Sequence, residues 1–203
     1  GNLWVADRSG NRILKFTAPL STGMAASIVI GQPDFTTVTA GFGNSKMSLP
    51  SGLVFDSSGN LWVADRSGNR ILKFTAPLST GMAASIVIGQ PDFATASAGS
   101  GTTKMSGPND IAFDSSGNIW VADANNNRIL KFTAPLSTGM AASVVIGQPD
   151  FTTVTSGNGA IKMTFPYRVV LDSSGNLLVV DTNNNRVLKF TAPLSTGMAA
   201  SVV

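Results

Sequence analysis

Pro50-Ser51-Gly52-Leu53-Val54-Phe55-Asp56-Ser57-Ser58-Gly59-Asn60-Leu61-Trp62-Val63-Ala64-Asp65-Arg66-Ser67-Gly68-Asn69-Arg70-Ile71-Leu72-Lys73-Phe74 holds three short apolar runs divided by two clusters of Asp, Ser, Gly and Asn. Gly and Asn accept left-handed backbone angles, and Asp and Ser bond to nearby amides, so both clusters read as tight turns. The runs are too short for helices and rich in β-branched and aromatic residues, which makes them strands. On the middle run Leu61 and Val63 point to one side while Trp62 and Ala64 point to the other. Both sides are apolar, so this strand must be covered on both faces. Beyond Phe74 a Pro- and Gly-bearing connection, Ala76 to Ala84, leads to a fourth run, Ile86-Val87-Ile88, and a Gly-, Ser- and Thr-rich loop then runs to Pro108.

The same pattern recurs along the whole chain. Trp4, Trp62 and Trp120 are 58 apart, Leu178 falls on the same grid, and residues 1–35 and 59–93 are letter-for-letter identical. A repeat of this kind decides the architecture before any local assignment does. The 203 residues make three and a half near-copies of one four-strand unit. Small sheets buried on both faces and repeated in this way are expected to stack as blades around an axis. A β-solenoid is the competing repeat, but its rungs are usually about 20–30 residues with shorter connections.

Composition removes several chemistries. Charged residues are 12% of the chain, against roughly 25% in an average domain. There is no Cys, no His and no Glu, and all eleven acidic residues are Asp. Disulfides, thiol nucleophiles, Ser-His-Asp triads and most transition-metal sites are thereby excluded. The net charge of +3 is mild, and no apolar run approaches the ~18 residues of a membrane-spanning helix.

The runs Pro50–Asp56, Gly59–Asp65 and Asn69–Phe74, repeated at 108–132 and 166–190 and in part at 1–16, resemble the NHL repeat of β-propellers. The resemblance implies an all-β propeller of four-stranded antiparallel blades, strands a to d running from the axis outward. The units here are longer than typical NHL units, the surplus lying in the loop between Gln90 and Pro108 and in the Ala76–Ala84 connection. Four blades are expected: 1–50 without strand a, 51–108 complete, 109–166 complete, and 167–203 with strand d cut short. That is an incomplete ring, for which the expected partners are further repeats or another copy of the chain.

Most charged residues repeat. An Asp closing strand b faces an Arg opening strand c five residues on, as in Asp65 and Arg70. The expectation is a partly exposed ion pair across each hairpin turn, contributing ~1 kcal/mol or less. In the fourth unit Trp becomes Leu178 and Ala becomes Val180, read as a volume-conserving exchange within the core. A reaction needs unlike groups around one point, and subtracting the repeat leaves Asp110 as the only off-grid acid, Arg168 as the only off-grid base and Tyr167 as the only Tyr. They occupy two adjacent grid positions, Ser51/Asn109/Tyr167 and Gly52/Asp110/Arg168, just after the Pro that opens strand a. The resemblance puts that point near the rim of the central channel. Ser51, Asn109, Asp110, Tyr167 and Arg168 are therefore the candidate binding residues, and no catalytic residue, metal ligand or cofactor is assigned.

The expected role is a non-catalytic scaffold that holds a protein, peptide or glycan on its variable face. Identity over 35 residues also fits a recent amplification or an engineered repeat with no ligand. The alternatives are an NHL-like lyase or lactonase, for which the resemblance implies His, Glu and Asp or Asn metal ligands at the channel, and an RNA-binding NHL domain. RNA binding needs clustered unpaired Lys and Arg, and a balance of +3 disfavours a nucleic-acid partner. On these grounds the chain is read as not an enzyme. No membrane partner is expected. No compartment is fixed, an extracellular or cell-surface one being preferred for a natural protein.

Overall fold

The computed structural model describes all 203 residues. Fourteen strands form four antiparallel sheets. Blade 1 holds β1 (Leu3–Asp7), β2 (Arg12–Phe16) and β3 (Ile28–Ile30); blade 2 holds β4 (Pro50–Phe55), β5 (Leu61–Asp65), β6 (Arg70–Phe74) and β7 (Ile86–Ile88). Blade 3 holds β8 (Pro108–Phe113), β9 (Ile119–Asp123), β10 (Arg128–Phe132) and β11 (Val144–Ile146), and blade 4 holds β12 (Pro166–Leu171), β13 (Leu177–Asp181) and β14 (Arg186–Phe190). Each sheet pairs its strands in chain order. In blade 4 the fourth position is reduced to one bridge, Lys189 to Val202.

The turns form as their residues require. Asn11, Asn69, Asn127 and Asn185 sit at φ between 52° and 55°, one residue before each strand c, where Asn is among the few side chains that tolerate left-handed angles. In blades 3 and 4 the same turn tightens into single 3₁₀ turns, Ala124–Asn126 and Thr182–Asn184.

Each blade has a leading face, set against the blade before it, and a trailing face, set against the blade after it. Between blades 2 and 3 the trailing residues Trp62, Ala64, Ile71 and Ile88 pack on the leading residues Ile119, Val121, Leu130 and Phe132. The grid shifted back by one repeat gives the packing of blade 1 on blade 2, with Ile13, Ile30 and Trp4 against Leu61, Val63, Leu72 and Phe74. Shifted forward it gives Trp120, Ala122 and Ile129 against Leu177, Val179, Leu188 and Phe190. The inner strands β4, β8 and β12 lie side by side. This is the arc of a β-propeller, with both faces of the middle blades buried.

Two packing expectations need correction. The hairpin pairs are not partly exposed in the middle of the arc: Asp65–Arg70 (2.8 Å) and Asp123–Arg128 (2.7 Å) are fully buried. The long d-to-a loop folds over each turn, so that Asp65 Oδ1 accepts from the Ser48 amide at 2.7 Å and the Arg70 guanidinium donates to the carbonyls of Gly43 and Lys46. Only Asp7–Arg12 keeps partly exposed side chains on both partners. The exchange to Leu178 and Val180 lies on the trailing face of blade 4, where no further blade covers it, and Val180 is exposed. Volume conservation therefore explains nothing at that position.

Candidate functional site

Each inner strand begins with a register shift directly after its Pro, between Pro50 and Leu53, Pro108 and Asp110, and Pro166 and Arg168. Such irregularities re-aim side chains at a sheet edge. Here they turn the two off-grid rows toward the concave side of the arc. Ser51, Asn109, Asp110, Tyr167 and Arg168 all line one cavity of about 190 Å³, together with Pro50, Gly52, Ala6 and Arg8, so that all four blades contribute. A larger cleft of about 570 Å³ opens between blades 2 and 3 at the other end of the sheets. It is lined by repeated residues such as Asp56, Asp114, Trp62 and Lys73, and gathers none of the unlike groups.

The cavity residues differ in what they are free to do. Ser51 donates weakly to the carbonyls of Ala64 and Pro108, and Asn109 Nδ2 donates to the Tyr167 carbonyl at 3.0 Å, so both tie neighbouring elements together. Asn109 Oδ1 is buried with no partner. Asp110 Oδ2 accepts from the Val169 amide at 3.1 Å. Its other oxygen lies against Gly52, where a Cβ would come within 2.6 Å of Oδ1 and 2.7 Å of the Asp110 Cα, so only Gly fits. Burial pushes the Asp110 carboxyl above its usual range, more than the Val169 and Ile111 amides and the nearby Arg168 charge pull it down. Tyr167 and Arg168 are exposed to the cavity mouth.

Two residues that sequence reasoning left out belong here. Arg8 lines the cavity. Arg66, its counterpart one repeat on, is held below its ordinary value by burial and by the charge of Arg8, with Tyr167 acting the other way. Its Nε is buried with no hydrogen-bond partner, and its guanidinium lies 5.8 Å from the Phe165 ring. The four grid arginines, Arg12, Arg70, Arg128 and Arg186, each pair with an Asp, whereas Arg8, Arg66 and Arg168 enter no ion pair. The signal was present in the variable turn, where the grid reads Arg8, Arg66, Ala124, Thr182. Backbone strain borders the same site: Leu49 and Phe165 hold φ of 54° and 55° just before the prolines of β4 and β12. Asn11 and Asn127 Oδ1 accept from their amides at 2.9 and 3.0 Å and hold them there.

The metal ligands implied for lactonase-type propellers do not fit these residues. No three His, Cys, Asp or Glu side chains come together. Asp110 and Asn109 share the cavity with the unpaired guanidiniums of Arg8 and Arg168, which repel a cation.

Residues 47–74, 105–132 and 163–190 each match the NHL repeat. The chain carries three NHL repeats. This NHL array is 29% identical over 161 residues to a probable peptidyl-alpha-hydroxyglycine alpha-amidating lyase of Caenorhabditis elegans, covering 77% of the chain and 41% of the relative. It is 28% identical over 176 residues to peptidyl-glycine alpha-amidating monooxygenase B of Xenopus laevis, covering 82% and 18%. Among solved structures it superposes on a streptogramin B lyase with a TM-score of 0.58 at 21% identity, covering 95% of the chain and 48% of that protein. The NHL array thus spans less than half the length of each.

The expectation of a non-enzyme is overturned by these comparisons, since both sequence relatives bear the names of enzymes, one of them a probable lyase. That expectation rested on the missing His and Glu, the residues of metal-assisted chemistry. Proton transfer needs only a base and an acid within reach of one substrate, and Asp110 and Tyr167 are groups of those two kinds.

Proposed function

We propose that the chain is a lyase-type NHL propeller array that acts on a small anionic substrate in the cavity at its inner strands. The observation that carries this reading is the convergence of Asp110, Tyr167 and the two unpaired guanidiniums of Arg8 and Arg168 on one cavity, with the unpaired Arg66 close enough to Arg8 and Tyr167 to feel their charge. A lyase takes a proton from its substrate and expels a leaving group without water. Asp110, raised by burial, is a better base than an exposed carboxylate and titrates closer to neutrality. The Tyr167 hydroxyl is the proton donor to the leaving group. Arg8 and Arg168 hold the negative group of the substrate and balance the charge that develops on the leaving atom. The names of the lyase relatives support the reaction class.

Asp110→Asn tests it. The wild-type chain is expected to cleave a short peptidyl-alpha-hydroxyglycine, whose carboxylate the arginines would hold, with inorganic phosphate as a competitor, and Asp110→Asn to lower kcat by about 10²-fold or more. No turnover of this substrate by the wild type, or equal turnover by the variant, overturns the reading. The pH dependence has a fixed sign. The base works only when ionised, so kcat/KM rises with pH through the elevated titration of Asp110. Stability runs the other way, because a raised folded pKa contributes stability that is lost as pH rises through it. Asp110→Asn is therefore expected to melt at the same or a higher temperature than wild type at pH 7.5, the gap closing as pH falls and the wild-type carboxyl takes up its proton.

A further inference from the structure

The proposed chemistry leaves one cation of the site unused. Arg66 opens the b-to-c turn of blade 2, outside the cavity that Arg8 and Arg168 line. It is half-buried and enters no ion pair. Its guanidinium lies 5.8 Å from the Phe165 ring, and its Nε is buried without a hydrogen-bond partner. The groups whose charge reaches it are Arg8, which repels it, and Tyr167; no carboxylate does. A desolvated guanidinium without a counter-charge is costly in the free chain, and an anion arriving from outside relieves that cost. The fold does not require an arginine there, since blades 3 and 4 close the same hairpin with Ala124 and Thr182. Blade 2 packs against a blade on either side, so Arg66 belongs to the interior of the arc.

The cavity bounds what the rest of the substrate meets. At about 190 Å³ it is smaller than the roughly 300–1,000 Å³ of sites that enclose a drug-sized ligand. It holds the reacting end of a short peptide, with the terminal carboxylate on Arg8 and Arg168. The preceding residue must leave by the mouth, where Tyr167 is exposed and Arg66 stands against Phe165. We propose that Arg66 is a second anion subsite, which binds the side-chain carboxylate of an acidic residue preceding the hydroxyglycine. The preferred substrate then carries two anionic groups. This rests on the lyase reading of the cavity. A guanidinium recognises a carboxylate through its fork of N–H donors, and stacking on Phe165 fixes the plane in which those donors lie.

Titration calorimetry with N-acetyl-Glu-Gly and N-acetyl-Gln-Gly tests this, because both carry the terminal carboxylate and neither carries the hydroxyl that the reaction needs. The wild type is expected to bind the Glu peptide about 10-fold tighter, as one charge-assisted pair at a partly exposed site allows. Arg66→Ala, which installs the blade 3 residue, is expected to bind the two peptides alike, and Arg66→Lys to keep part of the preference. Equal binding of the two peptides by the wild type, a preference that survives in Arg66→Ala, or loss of all binding in both variants overturns the proposal. Turnover of N-acetyl-Glu-hydroxyglycine judges the lyase reading separately. A wild type that discriminates between the glycine peptides without cleaving this one keeps the subsite and loses the reaction, turnover without discrimination loses the subsite alone, and no binding of either peptide overturns both.

Discussion

Arg70→Met will destabilise the chain by about 3–5 kcal/mol, while Arg12→Met will cost about 1 kcal/mol or less. The comparison is clean because residues 1–35 and 59–93 are identical, so both arginines start strand c from the same local sequence. Only tertiary surroundings differ. Arg70 and Asp65 are wholly buried, and the guanidinium also holds the carbonyls of Gly43, Lys46 and Phe93. Methionine fills much of the space but leaves those carbonyls unpaired and Asp65 as a lone buried charge. Arg12 and Asp7 reach solvent, and Asp7 can be hydrated when its partner goes. At this chain length the Arg70 loss lowers Tm by roughly 10 °C. A pH series adds a second reading. Burial already pushes the Asp65 carboxyl up, with the Arg70 charge opposing it, and removing Arg70 raises it further. A group with a raised folded pKa stabilises at low pH and loses that contribution as pH rises, so the Arg70→Met deficit narrows from pH 7 toward pH 4. Urea unfolding of the two variants at both pH values measures all of this. Equal losses at Arg12 and Arg70 would mean that the d-to-a loop does not seal the turn.

That contrast marks where sequence reading stops. The partnership of Asp65 with Arg70 was legible, because residues ending one strand and opening the next must face each other across a hairpin. The burial was not. It depends on a loop without periodicity, residues 43 to 48, returning over the turn, and nothing in Gly43-Asn44-Ser45-Lys46 announces a place to land. The blades were legible for the opposite reason. An apolar residue on both sides of Leu61-Trp62-Val63-Ala64, repeated at 58, admits few solutions other than sheets stacked on both faces.

The site was half legible by the same logic. Subtracting a repeat isolates whatever breaks it, and Asp110, Tyr167 and Arg168 break it by residue type. Arg8 and Arg66 escaped because two copies in succession look like a grid position; the variable b-to-c turns were expected on the same face as the inner-strand ends, but that Arg8 reaches the cavity itself is seen only in the structure. Their lack of acidic partners is likewise a three-dimensional fact. Asn109 was read as a ligand contact, yet its amide is already spent on the Tyr167 carbonyl, which leaves Oδ1 as the one atom it can offer.

Trp62→Ala is the second large expected effect, about 3–5 kcal/mol, set against about 1 kcal/mol for Leu178→Ala at the equivalent position of blade 4. Trp62 is 1% exposed in a cluster that spans blades 2 and 3, donates its indole N–H to Asp56 at 3.0 Å, and meets Phe113 edge-on at 5.8 Å. Truncation opens a cavity that rigid strands on both sides cannot close, and leaves Asp56 without one of the donors that hold its carboxyl below the usual range against the effect of burial. Leu178 is only half buried, on a face that no blade covers in the single chain, so shortening it removes few contacts and opens no void. Leu→Ala in a packed core costs about 2–5 kcal/mol, and the radial arrangement is what exempts this one. The two substitutions therefore test stacking directly: denaturant unfolding at low protein concentration should separate them by at least about 2 kcal/mol. Should Leu178→Ala prove as costly as Trp62→Ala under those conditions, the outer side of blade 4 is covered within one chain and the arc is not open. If its cost grows instead with protein concentration, the covering surface comes from a second copy.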